Sequence, residues 1–282
     1  MDANAIEQAL SVIAAAAEAD GVGPLSEHAL LALRAGRSGL TAAQDGRVVG
    51  YAHLDPAGSG EPASGEIAVH PDFRRKGHGR ALLHALRDRA GGPLRVWAHG
   101  DLPAAAALAA AEGMRRGRVL LQLRRPAAGA LPGVGVAPGV TLRAFEPGRD
   151  EQAWLRVNGR AFADHPEQGA WTIDDVLARE AEDWFDPAGF FLAERDGAVV
   201  GFHWTKTHPG GIGEVYVVGV DPDARGLGLG RTLTLAGLHH LRDAGLDRFM
   251  LYVDESNTAA VRLYDSLGFT RHAVDVMYET RG

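Results

Sequence analysis

The sequence of 282 residues contains no cysteine, which excludes disulfide bonds, a thiol nucleophile and a thiolate metal site. Positive charge is in deficit: the formal net charge is −7, which argues against a general nucleic-acid binder or a membrane-surface binder. Apolar runs of transmembrane length are absent, and no signal peptide is recognisable. We therefore expect a cytoplasmic protein that binds small molecules rather than nucleic acid or membranes, and a monomer.

The chain repeats itself, and its length is sufficient for two domains that each bury a core. Three short motifs recur at a single offset of 151 residues: 45–50 with 196–201, 70–71 with 221–222, and 77–79 with 228–230. Three matches at one offset are hard to obtain by chance, so we interpret the chain as two copies of one domain. The first copy covers residues 1–125 and the second 140–282, and a linker rich in proline and glycine joins them at 126–139.

Hydrophobic periodicity and turn residues predict alternating helices and strands in both copies. Helices are predicted at 1–19, 26–35, 81–90, 102–111, 150–161, 172–183, 232–244 and 257–267. Single strands are predicted at 66–70, 94–99, 114–124, 140–144, 215–220, 248–253 and 271–278. Two hairpins are predicted around Asp45-Gly46 and Asp196-Gly197, because these dipeptides favour tight two-residue turns.

Residues 214–231 carry the most distinctive pattern of the chain. A β-branched run at 215–220 predicts a buried strand that Asp221 and Pro222 end, and a glycine-rich turn at 225–231 leads into a helix. Glycines let main-chain N–H groups point inward, and a helix start adds partial positive charge, so this turn is typical of a phosphate or pyrophosphate site. A tight loop that only needs positive φ angles is the alternative.

The spacing of Arg225, Gly228 and Gly230 after a valine-rich strand resembles the pyrophosphate loop of the GCN5-related N-acetyltransferases (GNATs). Asn257 and Tyr264 resemble the second coenzyme segment of that family. The resemblance implies an α/β (mixed α+β) fold of two tandem GNAT domains, each a central mixed twisted sheet flanked by helices, with acetyl-CoA as co-substrate. In the second copy it implies coenzyme contacts at Val218, Gly219, Val220, Arg225, Gly226, Leu227, Gly228, Leu229, Gly230, Arg231, Asn257, Ala260 and Arg262. In the first copy it implies contacts at Ile67, Ala68, Val69, Arg75, Lys76, Gly77, His78, Gly79 and Arg80.

Longer stretches at 165–169, 184–187, 201–206 and 213–222 resemble one tandem family in particular, the mycothiol synthases. That resemblance implies acetylation of the cysteine amine of cysteinyl-glucosaminyl-inositol, which gives mycothiol. It also implies a substrate pocket that contains Glu27, Glu167, Lys206, Glu214 and Tyr252. Two alternatives stay open: a tandem acetyltransferase for another small amine, such as an aminoglycoside or a polyamine, and a non-catalytic acyl-CoA-binding module.

The proposed chemistry, amide formation, needs a neutral amine, a polarised thioester and a proton for the leaving thiolate. Glu214, which opens the central strand, is the candidate base, and a solvated strand-end glutamate is the alternative. Main-chain N–H groups at 218–220 are the candidates for polarising the thioester, and we expect Gly219 to permit a β-bulge that frees them. Tyr264 is the candidate acid, with a core tyrosine as the alternative.

The two copies differ in the groups that move protons. At the same register the first copy has Ala63 in place of Glu214 and Ala109 in place of Tyr264. Glu66 is close in sequence but is an odd number of positions from Ala63, so we expect its side chain on the other face of the strand. We therefore expect the first copy to be non-catalytic; coenzyme binding without catalysis and a purely structural role are equally open.

The histidines show no metal-ligand spacing in the sequence. His239 and His240 are adjacent in a predicted helix and cannot share one face. We therefore expect no metal site.

Overall fold

The computed structural model of the chain describes residues 1–37, 39–58, 61–163 and 168–280. These residues form two compact units. Unit 1 comprises residues 1–121, 254–256 and the segment from Ala273 onward, and unit 2 comprises residues 122–253 and 257–272. Within the described ranges, no helix combines the length and the apolar character needed to cross a membrane.

Unit 1 is a mixed sheet with helices packed against it. Its helices are α1 (Ala3–Asp20), α2 (Glu27–Arg34), α3 (His78–Ala90) and α4 (Pro103–Ala111). Its strands are β1 (Leu40–Gln44), β2 (Arg47–Asp55), β3 (Ala63–Val69), β4 (Leu94–His99), the first part of β5 (Arg115–Pro126) and most of β11 (Thr270–Glu279). The strand order begins β1-β2-β3-β4-β11, and β3 and β4 form a parallel pair.

Unit 2 repeats this plan. Its helices are α5 (Glu151–Ala161), α6 (Ile173–Glu180), α7 (Leu229–Asp243) and α8 (Thr258–Ser266). Unit 2 contains the whole of β6 (Val140–Ala144), β7 (Phe190–Arg195), β8 (Ala198–His208) and β9 (Ile212–Val220). It also contains most of β10 (Arg248–Asp254). The order is β10-β9-β8-β7-β6, and β9 and β10 are the parallel pair. Both units therefore have the mixed sheet and flanking helices that the sequence predicts.

The hairpin turns confirm the local predictions. Asp45 and Gly46 have φ of 51° and 76°, and Asp196 and Gly197 have φ of 52° and 77°. Positive φ at both central residues is what a two-residue hairpin turn requires. Ser26 caps α2 by accepting a hydrogen bond from the N–H of Ala29.

The last strand of each predicted copy belongs at least in part to the other compact unit. β11 follows all other elements of unit 2 in sequence, yet it pairs with β4 of unit 1 from Asp275 opposite His99 to Glu279 opposite Arg95. Conversely, the part of β5 from Gln122 onward belongs to unit 2. The compact units therefore do not follow the boundaries at 125 and 140, because periodicity detects a strand but not its partner.

Beyond Pro126, the last residue of β5, the predicted linker has no helix or strand, but it is not free of contacts. Thr232 of α7 donates its hydroxyl to the carbonyl of Gly135, and His239 contacts the carbonyl of Pro132 at 2.8 Å. The middle of the linker, at Pro132 and Gly135, thus packs on α7 within unit 2.

The core of unit 2 is an aromatic cluster on one face of its sheet. Phe190 stacks on Trp204 with ring centroids 4.4 Å apart, and Trp154 packs edge-on against both. The other face carries α7, which comes close to His203 because Gly237 has no side chain; a Cβ there would lie 2.0 Å from the imidazole. Burial lowers the pKa of His203 to about 4, so this core histidine is neutral.

Candidate functional site

The strands β9 and β10 separate in the middle of unit 2. Their parallel pairing runs from Ile212 to Val215 on β9 and from Arg248 to Leu251 on β10. Further along, β9 continues to pair with β8 as far as Val220. On the side that faces away from β8, the main-chain groups of this part of β9 therefore have no ladder partner within the described ranges. The predicted amides of residues 218–220 lie on this open stretch.

A β-bulge lies just before the open stretch, but not where the sequence suggested. Trp204 pairs with Val217 and Thr205 with Val215, so Tyr216 is the extra residue. The prediction that Gly219 permits the bulge is wrong. Gly219 is needed for packing instead, since a Cβ there would lie 2.5 Å from the ring of Phe202.

Glu214 is buried at the start of this site, with only 7% of its surface exposed. Its Oε2 lies 2.5 Å from Nε2 of His208, across the hairpin that joins β8 and β9. The His208 side chain is 30% exposed, so it connects the buried carboxylate with solvent. Sequence reasoning missed His208, although it lies two residues after Lys206 and thus on the same strand face.

The glycine-rich turn joins β9 to α7 as predicted. Gly226 and Gly228 have φ of 86° and 72°, and Gly228 is the N-cap of α7 without any side chain that could close the helix start. Arg225 is exposed, and among the described residues its guanidinium forms no ion pair. Arg231 is exposed as well and donates to the hydroxyl of Ser266 at 3.0 Å. In the part of the chain that the structure describes, the turn therefore presents a helix start without a side-chain cap and two cations without carboxylate partners.

Helix α8 holds the other predicted coenzyme group and the predicted acid. The Asn257 side chain caps the helix by accepting from the N–H of Ala260 at 3.2 Å, and Arg262 is exposed on its surface. Tyr264 is buried and packs against Phe269 with ring centroids 5.8 Å apart. Burial raises the pKa of Tyr264 to about 12, so its hydroxyl stays protonated near neutral pH.

The predicted substrate residues are partly accounted for. Lys206 lies directly opposite Glu214, with Nζ 4.7 Å from the ring centroid of Trp184 and 5.4 Å from that of Tyr216. Tyr252 of β10 is 45% exposed, and its hydroxyl accepts from Gln122 at 2.6 Å. Glu27 is exposed in the first turn of α2 in unit 1, and its role stays a prediction. Glu167 lies outside the described residues.

Unit 1 has an open cavity of about 600 Å³ at the position that corresponds to the coenzyme site. It lies where β3 and β4 separate, because their pairing ends at Glu66 and Trp97. Its lining includes every predicted coenzyme residue of the first copy except Lys76, namely Ile67, Ala68, Val69, Arg75, Gly77, His78, Gly79 and Arg80. The strand β11 contributes Tyr278 to the wall.

Glu66 of unit 1 is on the same face as Glu214 of unit 2, contrary to the prediction. β2 and β3 pair without a bulge, so Glu66 lies opposite His53, just as Val217 lies opposite Trp204. Because the bulge at Tyr216 adds one residue between Val217 and Glu214, those two side chains also share a face. The extra residue reverses the parity on which the prediction rested.

The carboxylate of Glu66 is held in a charge cluster. Its Oε2 accepts from the N–H of Ser26 at 2.7 Å, and its Oε1 lies 3.7 Å from Nε2 of His99, an ion-pair distance. Nδ1 of His99 lies 3.1 Å from Asp275 on β11. Burial opposes the charge on His99, but the two carboxylates prevail and raise the pKa of His99 to about 9. Burial also works against the charge on Glu66, yet contacts with His99 and Ser26 lower the pKa of Glu66 overall. Unit 1 therefore has titratable groups on this strand face, but they pair with one another, and its lack of catalysis stays a prediction.

The glycine loop of unit 1 differs from that of unit 2 in its charges. Arg74 corresponds to Arg225 but forms a double hydrogen bond with Asp20, both contacts at 2.7 Å. Arg80 donates to Glu112 at 2.6 Å. Arg75 has φ of 63° at the position of Gly226, a conformation that costs a non-glycine residue about 1 kcal/mol.

Comparison with known proteins identifies the repeated domain. The sequence profile of the acetyltransferase (GNAT) family matches residues 8–114 and 156–269. A solved GCN5-related N-acetyltransferase from Sphaerobacter thermophilus has a TM-score of 0.76 and 26% identity, covering 99% of this chain and 92% of that chain.

Two relatives are similar over nearly the whole chain. The mycothiol acetyltransferase of Thermomonospora curvata is 72% identical over 277 residues, which is 98% of this chain and 93% of the relative. The mycothiol acetyltransferase of Thermobispora bispora is 61% identical over 282 residues, which is 96% of this chain and 95% of the relative. The chain therefore belongs to the GNAT family of acetyltransferases, as a tandem member with two family domains, and within it to the mycothiol acetyltransferases.

Proposed function

We propose that this chain transfers the acetyl group of acetyl-CoA to the cysteine amine of cysteinyl-glucosaminyl-inositol, and that unit 2 performs the reaction. The identity of 72% to a mycothiol acetyltransferase supports the substrate. The observation that carries the catalytic assignment is Glu214, a buried carboxylate beside the open edge of β9 with a histidine contact that reaches solvent.

The turn of unit 2 fits a pyrophosphate. It offers the uncapped N–H groups at the start of α7, and no carboxylate among the described residues pairs with its cations Arg225 and Arg231 and so competes with a phosphate. The residues before the turn line the open edge of β9, so an acyl-pantetheine arm that begins at the turn would run along that edge.

We assign to Glu214 the removal of the proton from the attacking amine. An α-ammonium has an ordinary pKa of about 7.7–8.0, so roughly a tenth to a fifth of it is neutral at pH 7. A carboxylate base, acting directly or through one water, is sufficient to remove the remaining proton as the N–C bond forms. His208, in contact with Glu214 at 2.5 Å and partly exposed, offers that proton a route to solvent.

The carbonyl of the thioester needs hydrogen-bond donors as negative charge develops on its oxygen. Main-chain N–H groups on the open side of β9, within residues 218–220, are the donors available there. The bulge at Tyr216 supports this arrangement, because it turns the strand at the point where β9 leaves β10.

We assign to Tyr264 the stabilisation of the leaving sulfur. A phenol of pKa about 12 would transfer its proton to a thiolate of ordinary pKa 8.5 only at a cost of about 5 kcal/mol. The physical role open to Tyr264 is therefore that of a hydrogen-bond donor that stabilises the thiolate as the C–S bond breaks, while the thiol acquires its proton from solvent or from the released amine proton.

Substrate recognition is assigned to polar groups around Glu214. Lys206 shares its face and is held over two aromatic rings, and Tyr252 is exposed on the neighbouring strand β10. Both suit a polyhydroxylated ligand, and the roles of Glu27 and Glu167 stay predictions of the sequence. In unit 1 we assign the cavity to acetyl-CoA binding without catalysis.

The test is a comparison of acceptors. Purified protein is given acetyl-CoA with cysteinyl-glucosaminyl-inositol, an aminoglycoside or a polyamine, and coenzyme A release is followed. We expect kcat/KM for the cysteinyl pseudodisaccharide to exceed the others by at least a thousandfold. Equal, slow turnover of all acceptors would contradict the substrate while leaving the acetyltransferase assignment intact.

A further inference from the structure

Three potential metal ligands converge in unit 1, although they are far apart in the sequence. His28 belongs to α2, whereas His53 and Asp55 share one face of β2. Nε2 of His28 and Nε2 of His53 lie 3.0 and 3.1 Å from the same atom, Oδ1 of Asp55. All three ligand atoms lie within 4.8 Å of one another. The spacing of these residues in the sequence does not indicate that they converge.

The separations suit a tetrahedral ion. Zinc binds histidine nitrogen at about 2.0–2.1 Å and carboxylate oxygen at about 2.0–2.2 Å, which places neighbouring ligand atoms about 3.3 Å apart. The observed nitrogen–oxygen distances need to grow by only a few tenths of an ångström. Two imidazoles and one carboxylate would leave a fourth position for water.

Burial and charge also favour a cation at this position. His53 is only 5% exposed, so its imidazole is held in place with Nε2 3.1 Å from Asp55. The side chains of Asp55 and His28 are 46% and 64% exposed, which leaves a path for an ion. In the described part of the chain, the ion pairs of Asp55 are with these two histidines, so no lysine or arginine neutralises it.

The other histidine–carboxylate contacts of unit 1 lack this arrangement. Glu112 contacts His84 but also Arg80, whose positive charge would repel an ion. His99 reaches its two carboxylates through opposite nitrogens, so those oxygens cannot converge on one ion.

We propose that His28, His53 and Asp55 bind one Zn²⁺ ion. Two nitrogen ligands select zinc over magnesium and calcium, which prefer oxygen. The ion connects α2 to β2, and it therefore fixes the first turn of α2 and stabilises unit 1. This site is separate from the groups assigned to acetyl transfer in unit 2.

The test titrates Zn²⁺ into the full chain, freed of any affinity tag and stripped with a chelator, in competition with a chromophoric zinc indicator. We expect one equivalent to bind with a Kd in the micromolar range or tighter. Thermal unfolding should move upward by several degrees at a hundredfold excess over Kd. Co²⁺ in place of Zn²⁺ should give the visible absorption of a tetrahedral site, and Mg²⁺ should have no effect.

The variants are chosen at exposed positions so that folding is preserved. His28→Ala should weaken Zn²⁺ binding at least tenfold and abolish both the thermal shift and the Co²⁺ absorption. His84→Ala, which removes an exposed histidine that also contacts a carboxylate, should behave like the parent. Binding only at millimolar Zn²⁺, or equal binding by His28→Ala and the parent, would overturn the proposal.

Discussion

The two units carry a buried glutamate on equivalent strand faces, yet the surroundings of the two side chains differ. Glu66 accepts a main-chain N–H and lies beside a protonated histidine, and its pKa is lowered, which makes it a weak base. Glu214 contacts a single histidine that is partly open to solvent. This difference is why we assign the reaction to unit 2: Glu66 is tied to fixed partners, whereas the contact of Glu214 reaches solvent.

The phosphate loops differ in the same sense. In unit 1 the arginine at the start of the loop forms a double contact with Asp20 and so belongs to the fold, whereas in unit 2 the corresponding Arg225 is exposed. Unit 1 therefore pairs its first loop arginine within its own fold, whereas the corresponding arginine of unit 2 is one that we propose for the coenzyme.

The largest expected effect comes from exchanging each glutamate for its amide. Glu214→Gln should lower kcat about 10²–10⁴-fold, because a general base contributes that much, while acetyl-CoA still binds by calorimetry. Glu66→Gln should leave turnover within twofold. Similar losses in both variants would show that unit 1 takes part in the reaction.

The second expected effect is on stability and belongs to unit 1. The pKa of His99 is about 9 in the folded unit and about 6.5 in an unfolded chain, so folding favours its protonated form. The stabilisation is complete below pH 6.5, declines as the pH rises to 9 and is lost above, which amounts to about 3 kcal/mol.

Urea unfolding between pH 6 and pH 10 measures this effect. The free energy of unfolding should fall with pH in the parent and much less in His99→Gln. His84→Gln, an exposed histidine of the same unit, should keep the pH dependence of the parent. Identical pH profiles for the parent and His99→Gln would refute the charge cluster as its source.

The third expected effect separates the two loop arginines. Arg225→Ala should raise KM for acetyl-CoA at least tenfold, since a hydrogen bond between charged groups contributes about 1.5–3 kcal/mol, and should leave thermal stability unchanged. Arg74→Ala should do the reverse, because it leaves Asp20, which is 13% exposed, without its partner. An unchanged KM in Arg225→Ala would remove that side chain from the coenzyme site.

The smallest expected effect concerns the contact of Glu214 with His208. His208→Gln should lower kcat about tenfold with little change in KM, since it removes the proton route without removing the base. The matched control is His240→Gln, because His240 also contacts a carboxylate of unit 2, Asp186, at 3.1 Å. Equal kcat in both variants would exclude His208 from the proton route.

Local features of the fold could be predicted from the sequence, whereas features set by distant partners could not. Asp45-Gly46 and the cap at Ser26 follow from residue chemistry within a few positions. The bulge at Tyr216 depends on the pairing of two strands, and without it the face of Glu66 was assigned wrongly.

The candidate site likewise combines local features, which the sequence predicts, with features set by distant partners, which it does not. The glycine turn and Glu214 could be found because motif and spacing are local. His208 could have been found from its position two residues beyond Lys206 on the same strand, a signal that was present in the sequence. The approach of His28 to His53, by contrast, requires α2 to pack beside β2, which no spacing records.

The placement of β11 has a consequence for how the chain matures during synthesis. A ribosome completes the whole of unit 2 before it makes the strand that pairs with β4, including Asp275, the partner of His99. Unit 1 is synthesised first, but β4 stays an unpaired sheet edge until β11 has been made. Unpaired sheet edges favour aggregation. A gene cut at the linker would therefore encode a first half without its last strand, and co-expressing the two halves should rescue it only if the second half can lend that strand.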